Sequence, residues 1–303
     1  MSLAVFGSIN MDLVAHTPRL PAPGETLTGH SFGTVPGGKG ANQAVACARL
    51  GAQTHMIGRV GGDAFGRSLL ASLNQDGIDT AGIAIDHSVS SGVALIAVDD
   101  AAENTIIVIP GANGQVGQQD LGRLEAVLPD CQLLLLQLEL PLETVAAAAD
   151  LARRSGVGVI LDPAPARPLP SNLYEIVDIL TPNTTEAEML VGFPVQDQAS
   201  AMSAARTLLA RGAERIIIKM GALGAYVAGP EGEKLYPAMP VTAVDSVAAG
   251  DAFNGALAVA LAEAAPFGEA VHWGLAGGAC AVTMEGAQPS MPNREQLLAL
   301  LDR

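Results

Sequence analysis

Four stretches carry polar side chains at spacings that chemistry requires. GTVPGGKGANQAVACARLG, residues 33–51, reads G-x-x-x-x-G-K-G from Gly33. A P-loop wraps phosphates in backbone N–H groups and follows its lysine with Ser or Thr for Mg2+. Gly40 stands there instead, and HSFGTVP is a poor strand to precede such a loop, so the P-loop reading is weak. What remains is a Gly-rich helix entry. Gly37 and Gly38 admit a ligand close to the backbone, and Lys39 and Asn42 offer donors suited to sugar hydroxyls. The bland alternative is a helix start with a solvated lysine.

The second stretch is VDSVAAGDAFNGALAVALAEAA, 244–265. Ala248, Ala249 and Gly250 open an alanine-rich helix with Asp251 in its first turn. Free N–H groups and the helix dipole make an anion site there, and a carboxylate beside it can take a proton from an attacking hydroxyl. An Asp in a first turn also serves simply as a dipole partner. In TPNTTEAEML, 181–190, Asn183 and Glu186 offer oxygens that order water around Mg2+, or form a capping box. In GSINMD, 7–12, Asn10 and Asp12 follow an apolar run and suit hydroxyl recognition, or stabilise a turn. Glu139 ends the very apolar run LLLLQLEL and reads as a hydroxyl ligand or as the exit to solvent.

The elements that position these residues follow from pattern. Apolar runs at 3–8, 54–58, 131–138, 156–163, 177–183 and 215–221 read as buried strands. Alanine-rich helical patterns lie at 39–50, 63–75, 141–154, 197–211, 250–264 and 267–284. This alternation predicts an α/β fold: a mostly parallel central sheet with helices on both faces. Residues 12–36 and 92–112 break the rhythm with short strands and Pro/Gly turns, DDAAEN being a hairpin turn. They predict a small β lid on a main domain of residues 1–11, 37–91 and 113–303; ordinary surface hairpins are the alternative.

The chain has 303 residues, 49% hydrophobic, with a net charge of −15. That supports a large buried core and argues against nucleic acid as a partner. Cys47, Cys131 and Cys280 are odd in number and scattered, which fits reduced core thiols rather than disulfides or structural zinc. MSLAVFGSINMD has no basic leader, and no run reaches the roughly 18 apolar residues of a membrane helix. The expectation is a cytoplasmic protein without membrane contact.

Together the motifs resemble the ribokinase family of carbohydrate kinases. GSINMD, PGETLTG, PGGKGANQA, LQLELP, DPAPA, TPNTTEAE, AVDSVAAGDAFNGA and GAQPSMP run in family order over essentially the whole chain. The resemblance implies ATP-dependent phosphorylation of D-ribose at O5. It implies sugar contacts at Asn10, Asp12, Gly38, Lys39, Asn42 and Glu139, a base at Asp251, and an anion hole at Ala248, Ala249 and Gly250. Asn183 and Glu186 match an N-x-x-E motif near Mg2+ and the phosphates, and Lys219, Met220, Gly221, Ala222, Leu223 and Gly224 fall where the family contacts ATP. A monovalent cation, usually K+, is implied at Asp245, Val247, Ala281, Met284, Gly286 and Ser290, together with a homodimer through the lid.

Three positions depart from the family pattern. Leu275 stands where Asn or His is common near the nucleotide, Lys219 replaces a small or hydroxyl residue and has the reach for a phosphate, and NTTE replaces NETE. Rival readings are a kinase of deoxyribose, a nucleoside or another furanose, and a catalytically silent sugar-binding protein. Asn10 favours a ligand with a 2-hydroxyl, and the intact Gly250–Asp251 pair opposes the silent reading. No strand is followed by G-x-G-x-x-G, which opposes a dinucleotide-dependent oxidoreductase.

Overall fold

A computed structural model describes residues 1–101 and 103–302. The strands are β1 (Ser2–Phe6), β2 (Asn10–Thr17), β3 (Ser31–Gly37), β4 (Gln53–Gly61), β5 (Ile83–Asp86), β6 (Gly92–Asp99), β7 (Asn104–Ile109), β8 (Leu133–Leu136), β9 (Gly158–Leu161), β10 (Ile179–Leu180), β11 (Arg215–Lys219), β12 (Ala225–Gly229) and β13 (Gly232–Tyr236). The helices are α1 (Lys39–Arg49), α2 (Ala64–Gln75), α3 (Gln118–Val127), α4 (Leu142–Arg154), α5 (Ser171–Ile176), α6 (Thr184–Val191), α7 (Gln198–Ala210), α8 (Ala249–Ala262), α9 (Phe267–Ala281) and α10 (Arg294–Leu301).

Nine strands form the central sheet in the order β13-β12-β11-β10-β9-β8-β1-β4-β5. Its pairs are parallel from β5 to β11, and the β11-β12-β13 edge is antiparallel. Strand alternation divides the core in two. Leu3, Val5, Leu135, Ile160 and Ile217 enter one cluster with α1, α8 and α9. Ala4, Phe6, Leu134, Leu136, Ile216 and Ile218 enter the other with α4 and α7. Both faces are thus covered, which is why these strands read as unbroken apolar runs.

The chain passes from β1 to β4 on one side and later returns to β8 on the other. Order reverses between β1 and β8, and in open α/β sheets ligands bind beyond the carboxyl ends of strands at such a point. Asn10, Glu139, Asp162, Asn183 and Lys219 all lie at or just past the carboxyl ends of β1, β8, β9, β10 and β11.

A separate four-stranded sheet, β3-β2-β6-β7, stands over that edge. β2 begins at Asn10 and β3 runs to Gly37, so the small sheet starts directly from the site residues. Asn10 and Asp12 therefore belong to a strand rather than to a turn. The expected hairpin is present, with Val98 opposite Asn104 and Asp99 Oδ1 accepting the N–H groups of Ala101 and Glu103. Of its turn DDAAEN, Ala102 lies outside the described residues.

The helix expected over 267–284 ends at Ala281. The Val282 carbonyl instead accepts N–H groups from Val244 (2.7 Å) and Asp245 (3.2 Å), tying the loop before α8 to this end. The β12-β13 hairpin, α3, α5 and α10 join the elements read from pattern.

Helix α1 meets the end of β1 backbone to backbone. Ala41 N–H donates to the Ser8 carbonyl at 2.9 Å. A Cβ on Gly40 would lie 2.6 Å from Gly7 backbone atoms and Ser8 N. Gly40→Ala should therefore destabilise the fold by about 1–3 kcal/mol through overpacking. Chemical denaturation checks it; an unchanged midpoint would contradict the close approach.

Candidate active site

At the β1–β8 switch point, one carboxylate gathers three donors. Glu139 Oε2 accepts from Ser8 Oγ (2.5 Å), the Lys39 N–H (3.2 Å) and Asn10 Nδ2 (3.4 Å). Asn113 Nδ2 donates to Asn10 Oδ1 at 2.7 Å, while the Asn113 amide also bonds Ile9 N–H and carbonyl at 3.0 and 3.1 Å. This fixes which way the Asn10 amide faces. Gly38, before α1, has φ of 90°, and a Cβ there would lie 2.7 Å from Asn10 N. Only glycine fits that turn. The Asp12 carboxylate lies against Gly37, where a side chain would collide with it. Burial, then the negative charges of Glu139 and Asp251, push the Asp12 carboxyl up to about 7.

Asp251 lies deeper, buried in the first turn of α8. Asn42 Nδ2 donates to its Oδ2 at 2.9 Å and Gln43 Nε2 to its Oδ1 at 3.1 Å. Burial pushes this carboxyl up, while Lys39 and the two amide bonds oppose that. Burial also disfavours the Lys39 ammonium, but Asp251, Asp162, Glu139 and Glu186 outweigh it and hold Lys39 above its ordinary range. Asp251 is thus a carboxylate kept basic by burial yet anchored by fixed donors.

The residue before α8, Ala248, adopts φ 58°, ψ 10°, a conformation uncommon for any residue with a side chain. The Ala252 N–H makes the bond back to Ala248 at 2.9 Å. Helix geometry leaves the N–H groups of Gly250 and Asp251 without an intrahelical acceptor. They open into a cleft of about 750 Å³ whose floor includes Lys39, Asp162, Asn183, Glu186, Lys219 and Asp251. Apolar residues also line it, with Phe253, Leu275, Ala279, Val282, Met239 and Val241. Charged and apolar lining together suit a polyphosphate joined to a flat aromatic base.

Of the segment expected at ATP, Lys219, Gly221, Ala222 and Gly224 line this cleft. Met220 and Leu223 are not among its lining: the Met220 side chain packs in the core on the same side as Ile218, and Leu223 is exposed to solvent. Asn183 and Glu186 form a full capping box: Asn183 Oδ1 accepts the Glu186 N–H (2.8 Å), and Glu186 accepts the Asn183 N–H and Nδ2 (2.7 and 2.8 Å). The capping reading therefore holds, and both residues also line the cleft. Burial and the Asp162 carboxylate raise Glu186.

Behind the anion hole, Asp245 bridges two loops. Its Oδ1 accepts the Val247 N–H at 3.0 Å and its Oδ2 the Gly286 N–H at 2.9 Å. The Ala281 carbonyl accepts the Met284 N–H (3.1 Å), and the buried Ser290 hydroxyl donates to the Ala287 carbonyl (2.8 Å). Asp245 thus ties the loop before α8 to Gly286, while the Met284–Ala281 and Ser290–Ala287 bonds are local to the segment after α9.

Ser8, Gln43, Asn113, Gln137 and Asp162 belong to the site without having been singled out in the sequence. Asp162 carried a usable signal: like Glu139, it is a carboxylate closing a fully apolar strand. Among the described residues no helix is long and apolar enough to cross a membrane, and no cluster of three or more His, Cys, Asp or Glu could hold a metal ion.

A buried carboxylate stands beside an open helix N-terminus, between a polar cluster at Glu139 and a cleft lined by charged and apolar residues, an arrangement that fits a phosphotransferase of the carbohydrate-kinase type. The chain belongs to the pfkB family of carbohydrate kinases, whose sequence profile matches residues 1–294. It is 42% identical over 301 residues to a ribokinase of Haemophilus influenzae, covering 99% of this chain and 98% of that protein. It is 39% identical over 297 residues to a deoxyribokinase of Salmonella typhimurium, covering 98% and 97%. An Arabidopsis thaliana ribokinase complexed with ribose and ATP superimposes with a TM-score of 0.92 at 31% identity, covering 100% of this chain and 99% of that one.

The Asp12 shift has a sign that can be tested. Its folded value of about 7 exceeds the ordinary 3.8, so its contribution to stability is complete below about 4 and is lost as pH rises through about 7. Wild type should lose stability from pH 5 to pH 8 relative to Asp12→Asn. Urea midpoints at the two pH values check this, and parallel midpoints would show that Asp12 is not shifted.

Proposed function

We propose that this chain transfers the terminal phosphoryl group of ATP to the 5-hydroxyl of D-ribose, giving D-ribose 5-phosphate and ADP. The observation that carries the reading is the place of Asp251, buried at the open end of α8 and shared between the sugar cluster and the cleft. The relatives named ribokinase, matched over nearly their whole length, support the sugar.

In this reading Asn10, Asp12, Gly38, Lys39, Asn42 and Glu139 hold the hydroxyls. Asp251 takes the proton of O5 as that oxygen attacks in line. The N–H groups of Gly250 and Asp251 then face the charge spread over the moving phosphoryl, with Ala248 and Ala249, whose N–H is held by the Ser246 carbonyl, setting their direction. Such fixed donors supply most of what phosphoryl transfer needs, which is positioning and charge stabilisation. Asn183 and Glu186 would hold Mg2+, which would supply neutralisation of phosphate charge. The apolar lining with Leu275 takes the adenine. We assign K+ to the Asp245 loops, with backbone oxygens of Val247, Ala281, Met284 and Gly286 and the Ser290 hydroxyl around it. Held there, it would brace the loop before α8 rather than touch substrate.

We take residues 1–11, 37–91 and 113–303 as the catalytic body and 12–36 and 92–112 as a lid that closes over the sugar. The lid also pairs two chains. Phe32 and Ile107 on it are 68% and 61% exposed, and every described residue of the edge strand β7 is exposed. An apolar, unpaired edge of this kind is a liability unless covered. A cytoplasmic location fits the need for ATP.

Deoxyribose is the competing sugar, given the deoxyribokinase relative. The fixed Asn10 amide opposes it, because a sugar lacking the 2-hydroxyl leaves buried polar groups unpaired.

The direct test is ATP-dependent phosphorylation across ribose, deoxyribose, fructose and nucleosides. Ribose should have the highest kcat/KM, and another sugar in first place would overturn the substrate. Asp251→Asn should cut kcat by about 10²–10⁴ with ribose binding retained; near-normal turnover would remove Asp251 as base. Asp245→Ala should abolish activation by K+ while wild type responds, and an unchanged K+ titration would sink the cation assignment.

A further inference from the structure

Asp162 has no role in the mechanism above, yet it is buried at the centre of the site, 2% exposed. Its Oδ1 accepts from Lys219 Nζ at 2.8 Å and its Oδ2 from Gln43 Nε2 at 3.2 Å. The same Gln43 nitrogen donates to Asp251 Oδ1 at 3.1 Å. Gln43 cannot turn over, because its Oε1 accepts Gln137 Nε2 at 2.7 Å. One carboxylate therefore touches the lysine at the cleft and, through one amide, the base.

Lys219 is placed for a ligand. A Cβ on Gly250 would lie 3.1 Å from its Nζ, so the ammonium stands beside the first turn of α8. An ammonium has three donors, and Asp162 is the one side-chain acceptor its Nζ reaches among the described contacts. The remaining donors border the cleft.

We propose that Asp162 is a positioning residue: it holds Lys219 where the terminal phosphate arrives and, through Gln43, holds Asp251 in line with it. This rests on reading the cleft as the nucleotide site. Lys219 keeps Asp162 while a second donor meets the phosphate, so the cation and the base are set by a common anchor. The buried acid needs the lysine as much as the reverse, since an unpaired charge there is strongly unfavourable.

The test is calorimetric binding of ADP and of the non-hydrolysable β,γ-imido analogue of ATP, each with Mg2+, to the full chain. Lys219→Gln keeps a donor on Asp162 but loses the charge. It should weaken the analogue about tenfold or more, the scale of a charge-assisted hydrogen bond, and leave ADP within about threefold. Asp162→Asn, which is isosteric, should also reduce the preference for the third phosphate, by less. The double variant should match Lys219→Gln alone, because without the lysine there is nothing for Asp162 to place. Equal weakening of both nucleotides by Lys219→Gln overturns the phosphate contact. An Asp162→Asn loss that multiplies in the double variant, or no loss in Asp162→Asn, overturns the positioning role. If wild type binds neither nucleotide, the nucleotide reading of the cleft fails instead, and thermal unfolding of each variant separates misfolding from all of these.

Discussion

Four carboxylates, from Glu139, Asp162, Glu186 and Asp251, converge on one end of the sheet in a chain that already carries a net charge of −15. Like charges that close repel, and burial strengthens the repulsion. The arrangement survives because each acid has fixed donors, Gln43 being shared by Asp162 and Asp251. Glu139 has Ser8 and the Lys39 N–H, Asp251 has Asn42 and Gln43, Glu186 has Asn183, and Asp162 has Lys219 and Gln43. Lys39 sits among all four. The order of the strands is what brings these donors in, since each acid lies at or near the carboxyl end of a different strand or at a helix start.

That dependence explains the composition around the site. Where helices approach the site closely, side chains must be small: a Cβ on Gly255 would meet Ala46, and one on Gly277 would meet the Ala252 carbonyl. Helices α1, α8 and α9 are accordingly rich in Ala and Gly. Close helix packing here serves to bring the first turns of α1 and α8 together, so that Asn42 and Asp251 can bond directly across the junction.

The large sheet, its helices and the lid were legible because buried parallel strands leave unbroken apolar runs and the lid strands do not. The β12-β13 hairpin was less so: Gly232, Glu233 and Lys234 are exposed, and half the pattern of that edge is polar. At the site, motifs located Asn10, Lys39, Asn42, Asn183 and Asp251, each beside a glycine, a strand end or a helix start. Gln43, Asn113 and Gln137 left no such mark. A buried amide reads like a surface residue in sequence, and its importance appears only when segments about a hundred residues apart meet.

The small sheet is joined to the site along a single line. Asn10 is opposite both Gly37 and Gly92, so three strand ends lie side by side where the sheet leaves the body, two of them glycines. From Asn10 to the far end of β2 is eight residues, about 25 Å at the usual rise per residue. This geometry is a lever with its fulcrum at Asn10. A rotation of about 10° about the line carries the tips roughly 4 Å while Asn10 scarcely shifts, given that strand length. Force applied at the tips is multiplied at the fulcrum, so whatever grips the outer edge of the sheet has mechanical advantage over Asn10.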